Sequence, residues 1–298
     1  KNTILTTLGR GGDSAFHLQP GVEVLSSGNL TIDNDWNLYS ASRSGDEPGV
    51  LTLRAGGDLI IKGSISDGFA TVVPRAELGV GPSWSYRLVG GADLSGADPL
   101  SVANALNGHF ILAPGKLIRT GTGDIDIASA GDVRIGYDAA TNSFTQPNAS
   151  ASVIYTAGEA GPAIDPALFK IPATRTRTNP ANYTTHGGDI GIQAGGDITS
   201  APSKQLIADW LWRRGEINSD GTIAANQNTT WWVNFANFQQ GVGALGGGDI
   251  AIKAGNNINN LSAVIPTNGR LAGAAGSIPD PANLLIQGGG DLTVLPGG

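Results

Sequence analysis

The sequence predicts an all-β protein, a right-handed parallel β-helix (β-solenoid) with non-solenoid excursions and one short helix. The first observation behind this is a glycine-Asx turn followed by a short apolar alternation. Its fullest copy is Gly187-Gly188-Asp189-Ile190-Gly191-Ile192-Gln193-Ala194-Gly195-Gly196-Asp197-Ile198, with its two aspartates eight residues apart. The same step separates Asp124 from Asp132, Asp249 from Asn257, Asn283 from Asp291 and Asn29 from Asn37; a degenerate copy has Val50 in the first place and Asp58 in the second. The second observation is the spacing of copies. Asn29 and Val50, read as equivalent, are 21 residues apart, and a repeat of roughly 20 residues made of short strands and glycine turns suits coils stacked at about 4.8 Å. The third is composition: 45 glycines without a Gly-X-Y period, in a chain that is 40% hydrophobic, must punctuate a folded structure rather than a collagen or a disordered coil.

Within each copy the pattern is physical. In Asp-Ile-Gly-Ile, Asp124-Ile125-Asp126-Ile127, Asp249-Ile250-Ala251-Ile252 and Asn29-Leu30-Thr31-Ile32, the first and third residues after the Asx point to one side and the middle one to the other. The apolar pair faces the core. Glycine supplies the positive φ of the corner, and Asp or Asn is expected to bond back to nearby backbone N–H groups as an Asx turn. On this reading Asp58, Asp124, Asp132, Asp189, Asp197, Asp249 and Asp291 are structural turn residues.

Taken in order, residues 1–20 carry Ile4-Leu5 and a glycine-rich turn, and Val22 and Val24 alternate like a strand. The first repeat follows at Asn29 and the second near Gly49. Later spacings are longer than one coil, and the extra residues contain prolines and aromatics in place of glycine-aspartate turns. They are read as excursions on one side of the solenoid, at about 66–120, 138–186 and 200–245. In the first, Trp84, Tyr86 and Leu88 fall on one face of a strand. The second, with Thr174-Arg175-Thr176-Arg177-Thr178-Asn179-Pro180, reads as extended loop. In the third, Ser203 caps a helix expected over Lys204–Arg214, with Leu206, Ile207, Trp210 and Leu211 on one side and a stop at Gly215. Beyond it, the alternation of Trp231, Val233 and Phe235 predicts a strand.

Charge and composition exclude several classes. Net charge is −7 with no Lys/Arg cluster and the pI is near 4.8, which argues against nucleic acid and against anionic membrane surfaces. No apolar run reaches the roughly 20 residues of a membrane span, so membrane insertion is not expected. With no cysteine there is neither a disulfide framework nor a thiolate metal site. The chain has no methionine and starts at Lys1. It reads as a single β-helix domain over 1–298, an internal piece of a larger protein.

Three phrases outside the repeats, Phe16-His17-Leu18-Gln19-Pro20-Gly21-Val22-Glu23-Val24, Glu47-Pro48-Gly49-Val50-Leu51-Thr52-Leu53-Arg54-Ala55-Gly56-Gly57-Asp58-Leu59 and Ser200-Ala201-Pro202-Ser203-Lys204, resemble segments of the filamentous haemagglutinin family of large bacterial exoproteins. The chain is similar to a downstream region of such proteins rather than to their N-terminal secretion domain. The resemblance implies export from a Gram-negative cell by two-partner secretion. An outer-membrane β-barrel transporter passes the unfolded chain, the β-helix folds outside, and the protein serves adhesion, biofilm formation or toxin delivery at the cell surface. It carries no catalytic residues.

Candidate sites follow from residue chemistry. The Asx position accepts Asn at 29, 37, 257 and 283, which disfavours calcium, since a calcium site depends on carboxylate charge. His17, His109 and His186 have no metal-ligand spacing. No cofactor or metal is expected. Trp210, Trp212, Trp231 and Trp232 are candidate ligand-binding residues that stack on sugar rings of a host or bacterial surface glycan or receptor; the competing reading is that they pin the third excursion to the solenoid by burial. Full burial of all four excludes a sugar platform. Other parallel β-helices are polysaccharide lyases and glycosidases, for which Asp209 and Glu216, or Arg213 and Arg214, are the candidate groups. The adhesive, non-enzymatic reading is preferred.

Overall fold

The structure, a computed structural model, describes residues 2–9, 11, 19–39, 48–72, 78–145, 152–161, 183–214, 230–271 and 284–297. It is mostly β, and its parallel strands form three sheets. The first sheet contains, in order, Gly21–Ser26, Val50–Ala55, Ser85–Gly90, Ile125–Ser129, Ile190–Ala194, Ile250–Ala254 and Leu292–Leu295. The second contains Leu30–Ile32, Leu59–Ile61, Phe110–Leu112, Val133–Ile135, Ile198–Ser200 and Ile258–Asn259. The third contains Trp36–Asn37, Ile65–Ser66, Leu117–Thr120, Val153–Thr156, Gly241–Ala244 and Ala263–Val264. The chain visits the three sheets in turn through six full circuits, then lays a seventh strand on the first sheet.

Register explains why aliphatic residues alternate in each strand. Across the first sheet Val22, Leu51, Tyr86, Ile125, Ile190, Ile250 and Leu292 are neighbours, as are Val24, Leu53, Leu88, Ile127, Ile192, Ile252 and Val294. Equivalent rows run through Leu59, Phe110, Val133 and Ile198 in the second sheet and through Ile65, Ile118, Ile154 and Val242 in the third. Apart from the exposed Val22, Leu292 and Val294, these rows form one apolar core between the sheets. The intervening residues, such as Asp126 and Ala251, face outward.

The expected excursions are only partly outside this stack. Of 66–120, the strands Ser85–Gly90, Phe110–Leu112 and Leu117–Thr120 make the whole third circuit, and Tyr86 and Leu88 lie in the core as their alternation predicts. Of 138–186 and 200–245, Val153–Thr156 and Gly241–Ala244 belong to the third sheet. What leaves the stack is shorter, and it leaves from more than one corner. Residues 91–109 pack Leu100 and Val102 on the outer face of the first sheet at Val89 and Ala128. Tyr137–Asp138 pairs with Ser143–Phe144 as a small hairpin, and Glu159–Ala160 pairs with Thr184–Thr185. Thr174–Pro180 lies outside the described residues.

The repeat register also differs from expectation. Asn29 precedes a second-sheet strand and is the counterpart of Asp58, not of Val50, so the first circuit is the 29 residues from Gly21 to Gly49. Asn37 is within a third-sheet strand. Asp291 precedes a first-sheet strand, the counterpart of Asp249, and Asn283 lies outside the described residues. The physical reason is that Gly-Asx-Leu-x-Ile suits the entry to the first or the second sheet equally well, so the motif alone does not say which corner it occupies.

Among the described residues two short α-helices are present rather than one: Asn2–Thr7, not foreseen, and Ile207–Trp210. The latter replaces the helix expected over Lys204–Arg214. Leu206 and Ile207 are 67% and 63% exposed, and Leu211–Arg214 is a strand paired antiparallel with Thr230–Val233. A partner strand offers Leu211 and Trp212 more contact than a helix would, which overrides local preference. The strand predicted after it ends at Val233, and Phe235–Asn237 form one 3₁₀ turn. Thr267–Leu271 and Leu284–Gly288 complete a four-stranded antiparallel sheet built by two separate excursions. Among the described residues no helix is long and apolar enough to cross a membrane.

Leu53 is fully buried between Val24 and Leu88. Leu53→Ala is expected to destabilise the protein by about 2–5 kcal/mol in urea unfolding. Leu206→Ala, at an exposed position, is expected to stay within about 0.5 kcal/mol of the parent.

Candidate functional site

The turn residues do something other than cap their own turns. Before the first-sheet strands, the Asp189 N–H donates to Asp124 Oδ1 at 2.9 Å, the Asp249 N–H to Asp189 Oδ1 at 2.7 Å, and the Asp291 N–H to Asp249 Oδ1 at 2.8 Å. The row begins with Ser85 Oγ, which accepts from the Asp124 N–H at 3.1 Å. Before the second-sheet strands a second ladder climbs the stack. Asn29 Oδ1 accepts from the Asp58 N–H, Asp58 Oδ1 from the His109 N–H, His109 Nδ1 from the Asp132 N–H, Asp132 Oδ1 from the Asp197 N–H and Asp197 Oδ1 from the Asn257 N–H, all at 2.8–3.0 Å. Each corner side chain thus holds the next circuit rather than its own turn, a correction to the local Asx reading. Local Asx turns do occur, at Asp93, Asp98 and Asp138 and, as expected, at Asn37, whose Oδ1 accepts from the Tyr39 N–H at 3.0 Å.

Because the ladder needs only an acceptor at a fixed height, Asp, Asn, Ser and His all serve. His109 accepts through Nδ1, which puts the proton of the neutral ring on Nε2. Its neighbour Asp132 also accepts from Arg134 Nη2 at 2.8 Å. Burial works to raise the Asp132 pKa, but the Arg134 bond and the Asp197 N–H outweigh it and hold the group below its ordinary value. Asp126, facing outward between the rows, goes the other way. Burial raises it first, Asp124 and Asp189 add to the rise, and Arg87 opposes it. His186 is exposed, has φ 57° and lies 3.1 Å from Glu159 Oε1; His17 lies outside the described residues.

The four tryptophans do not form one platform. Trp210 is buried in a second apolar cluster on the outer face of the third sheet, with its ring 5.2 Å from that of Phe238. Trp212 and Trp232 are cross-strand partners and so stand on one face of the antiparallel sheet; Trp232 is buried and lies 6.0 Å from Tyr183. Trp231, one residue on, stands on the opposite face. Trp212 and Trp231 stay half-buried, so the burial that excludes sugar stacking is not reached. Their indole N–H groups donate to Asp209 O and Thr267 O, each at 2.9 Å.

Two features escaped sequence reasoning. Arg119 is fully buried on the outer side of the third sheet. Its Nε donates to Ser66 Oγ at 2.8 Å, its Nη1 to Tyr155 Oη at 2.9 Å, and its guanidinium carbon stands 3.8 Å over the Phe69 ring. The other is the antiparallel sheet itself, whose first and last pairs of strands lie on either side of the Asp249–Asn257 repeat in the sequence. The groups singled out for hydrolytic chemistry are not brought together among the described residues: Asp209 Oδ2 accepts from the Leu206 N–H at 2.8 Å, Arg213 and Arg214 continue the strand, and Glu216 lies outside the described residues.

Comparison with known proteins finds no matching family model, no matching characterised protein and no matching solved structure.

His109→Ala removes the acceptor for the Asp132 N–H and is expected to cost roughly 1–3 kcal/mol in denaturant unfolding, whereas His109→Asn, which restores the side chain found at 29 and 257, is expected to stay near the parent. Asp126 binds its proton more tightly folded than unfolded, so its contribution to stability falls as pH rises through its raised pKa. Asp126→Asn is therefore expected to be more stable than the parent at neutral pH, with the difference shrinking on acidification, as followed by thermal unfolding at several pH values.

Proposed function

We propose that the three-sheet stack is a right-handed parallel β-helix, and that the chain is a structural and adhesive segment of a secreted, filamentous-haemagglutinin-like bacterial exoprotein. The order of strands supports the architecture, since every full circuit gives one strand to each sheet and each neighbour is parallel. The right hand is the one that parallel crossovers adopt. The observation that carries the functional reading is the double ladder of corner bonds. It makes a rod whose length grows with the number of circuits, while chemical variety is confined to segments that leave it. A spacer that displays surface segments suits contact with a host or bacterial surface receptor or glycan.

The same economy fits export through the outer-membrane transporter of a two-partner system. Folding outside the cell would need no oxidant, because no cysteine is present, and each circuit is completed mainly by contacts with its neighbours. The decisive measurement is incubation with acidic and neutral polysaccharides, together with adherence of protein-coated beads to bacterial and epithelial cells. Retention of beads or polysaccharide with no new chain ends is the expected result. Depolymerisation would overturn the adhesive reading in favour of a carbohydrate-active enzyme.

A further inference from the structure

Across the four-stranded antiparallel sheet, Arg213 is opposite Trp231, Trp231 is opposite Gly269, and Gly269 is opposite Ile286. Directly opposed residues share a side, so one residue from each strand contributes to a single transverse row, about 14 Å long at ordinary strand spacing. The indole lies flat in this row. A Cβ at Gly269 would fall 2.7–2.8 Å from Cη2, Cζ3 and Cε3 of Trp231, so the six-membered ring rests face-on against the backbone where a side chain is missing. The ring N–H is tied to Thr267 O. One face of the ring is therefore held against the sheet, its polar edge is satisfied from within, and it stays half-open to solvent. Beside it Arg213 is exposed and Ile286 is 61% exposed. Among the described residues no carboxylate pairs with Arg213.

We propose that this row binds uronate-bearing saccharide chains, an inference that rests on the adhesive reading and names its ligand class. The apolar face of a pyranose ring stacks on the Trp231 indole, whose negative ring face attracts polarised C–H groups. The sugar carboxylate pairs with the planar fork of Arg213, which matches it through two parallel N–H bonds. Ile286 contacts the adjoining sugar residue. The indole is already immobilised by Gly269 and Thr267, so little side-chain freedom is lost on binding. Trp212 is not part of the site, because it stands on the opposite face of the same sheet.

The test is calorimetric titration of the full chain with oligogalacturonate, a neutral oligoglucan of equal length and a sulfated oligosaccharide. The expected result is preference for the uronate, weakened by salt. Arg213→Gln and Trp231→Ala should each weaken uronate binding about tenfold, and Arg213→Gln should abolish the preference over the neutral chain; Trp212→Ala should leave binding unchanged. Arg213 is exposed, so its variant remains informative even if loss of the Trp231 ring disturbs the sheet. Preference for the sulfated chain, or uronate binding unaltered in Arg213→Gln, overturns the proposal. Should protein-coated beads still adhere to cells in that case, the adhesive reading survives while this site falls; a protein that binds neither saccharides nor cells loses both.

Discussion

A single kind of hydrogen bond, from a backbone N–H to the corner side chain one circuit below, sets the register on which everything else depends. Each such bond is worth about 1 kcal/mol net, somewhat more where the acceptor is a carboxylate. Its larger effect is geometric. A one-residue slip in any strand would turn its aliphatic pair outward, and such bonds oppose that slip at two corners along the stack and, through Asp35 and Ser64, at the third corner of the first circuits. The side chains that serve, Asp, Asn, Ser85 and His109, share an acceptor atom at the right height and little else. Charge is incidental to the bond, and stacking it has a local consequence: burial raises the Asp126 pKa first, and Asp124 and Asp189 add to the rise.

The outer faces of the stack are treated unequally. The third sheet carries a row of Ser66, Arg119, Tyr155 and Gly243 on its outer side, and the segments that leave the stack bury it beneath Phe69, Phe235, Phe238 and Trp210. Glycine is required at 243, where a Cβ would meet the Phe238 ring at 2.8 Å. A cation tolerates this burial because Ser66, Tyr155 and the Phe69 ring take the place of water. The first sheet's later strands instead leave Gln193, Ala251 and Lys253 in solvent.

The all-β class and the inward face of each repeat were legible in the sequence because a period of two is fixed by the backbone alone. Trp84, Tyr86 and Leu88 show how far that signal carries: their alternation placed them correctly although no Gly-Asx turn precedes them. The third circuit was hidden for the same reason, since Ser85 and His109 stand where Asp was sought. The ladder itself was illegible, because a carboxylate that bonds its own turn and one that bonds the next circuit are written with the same letters. Strand Leu211–Arg214 shows the other limit. Leu206, Ile207, Trp210 and Leu211 have helical spacing, and only the arrival of Thr230–Val233 decides against it. Among the four tryptophans, sequence had no means of separating Trp231 from Trp212 and Trp232, whose faces depend on that pairing.

An array in which each circuit touches only its neighbours frays from either end and gains stability in equal steps. The aromatic cluster changes that behaviour. Phe69 leaves the stack after the second circuit, yet its ring lies 6.1 Å from Tyr155 in the fourth and 5.4 Å from Phe235, which departs from the fifth. Asn268, beyond the sixth circuit, donates to Thr184 O, which precedes the fifth, at 2.8 Å. These straps weld the central circuits into one cooperative block, while Val22 and Leu25 at one end and Leu292 and Val294 at the other stay open to solvent. Under tension along the stack, the strapped circuits therefore break as a unit rather than one at a time.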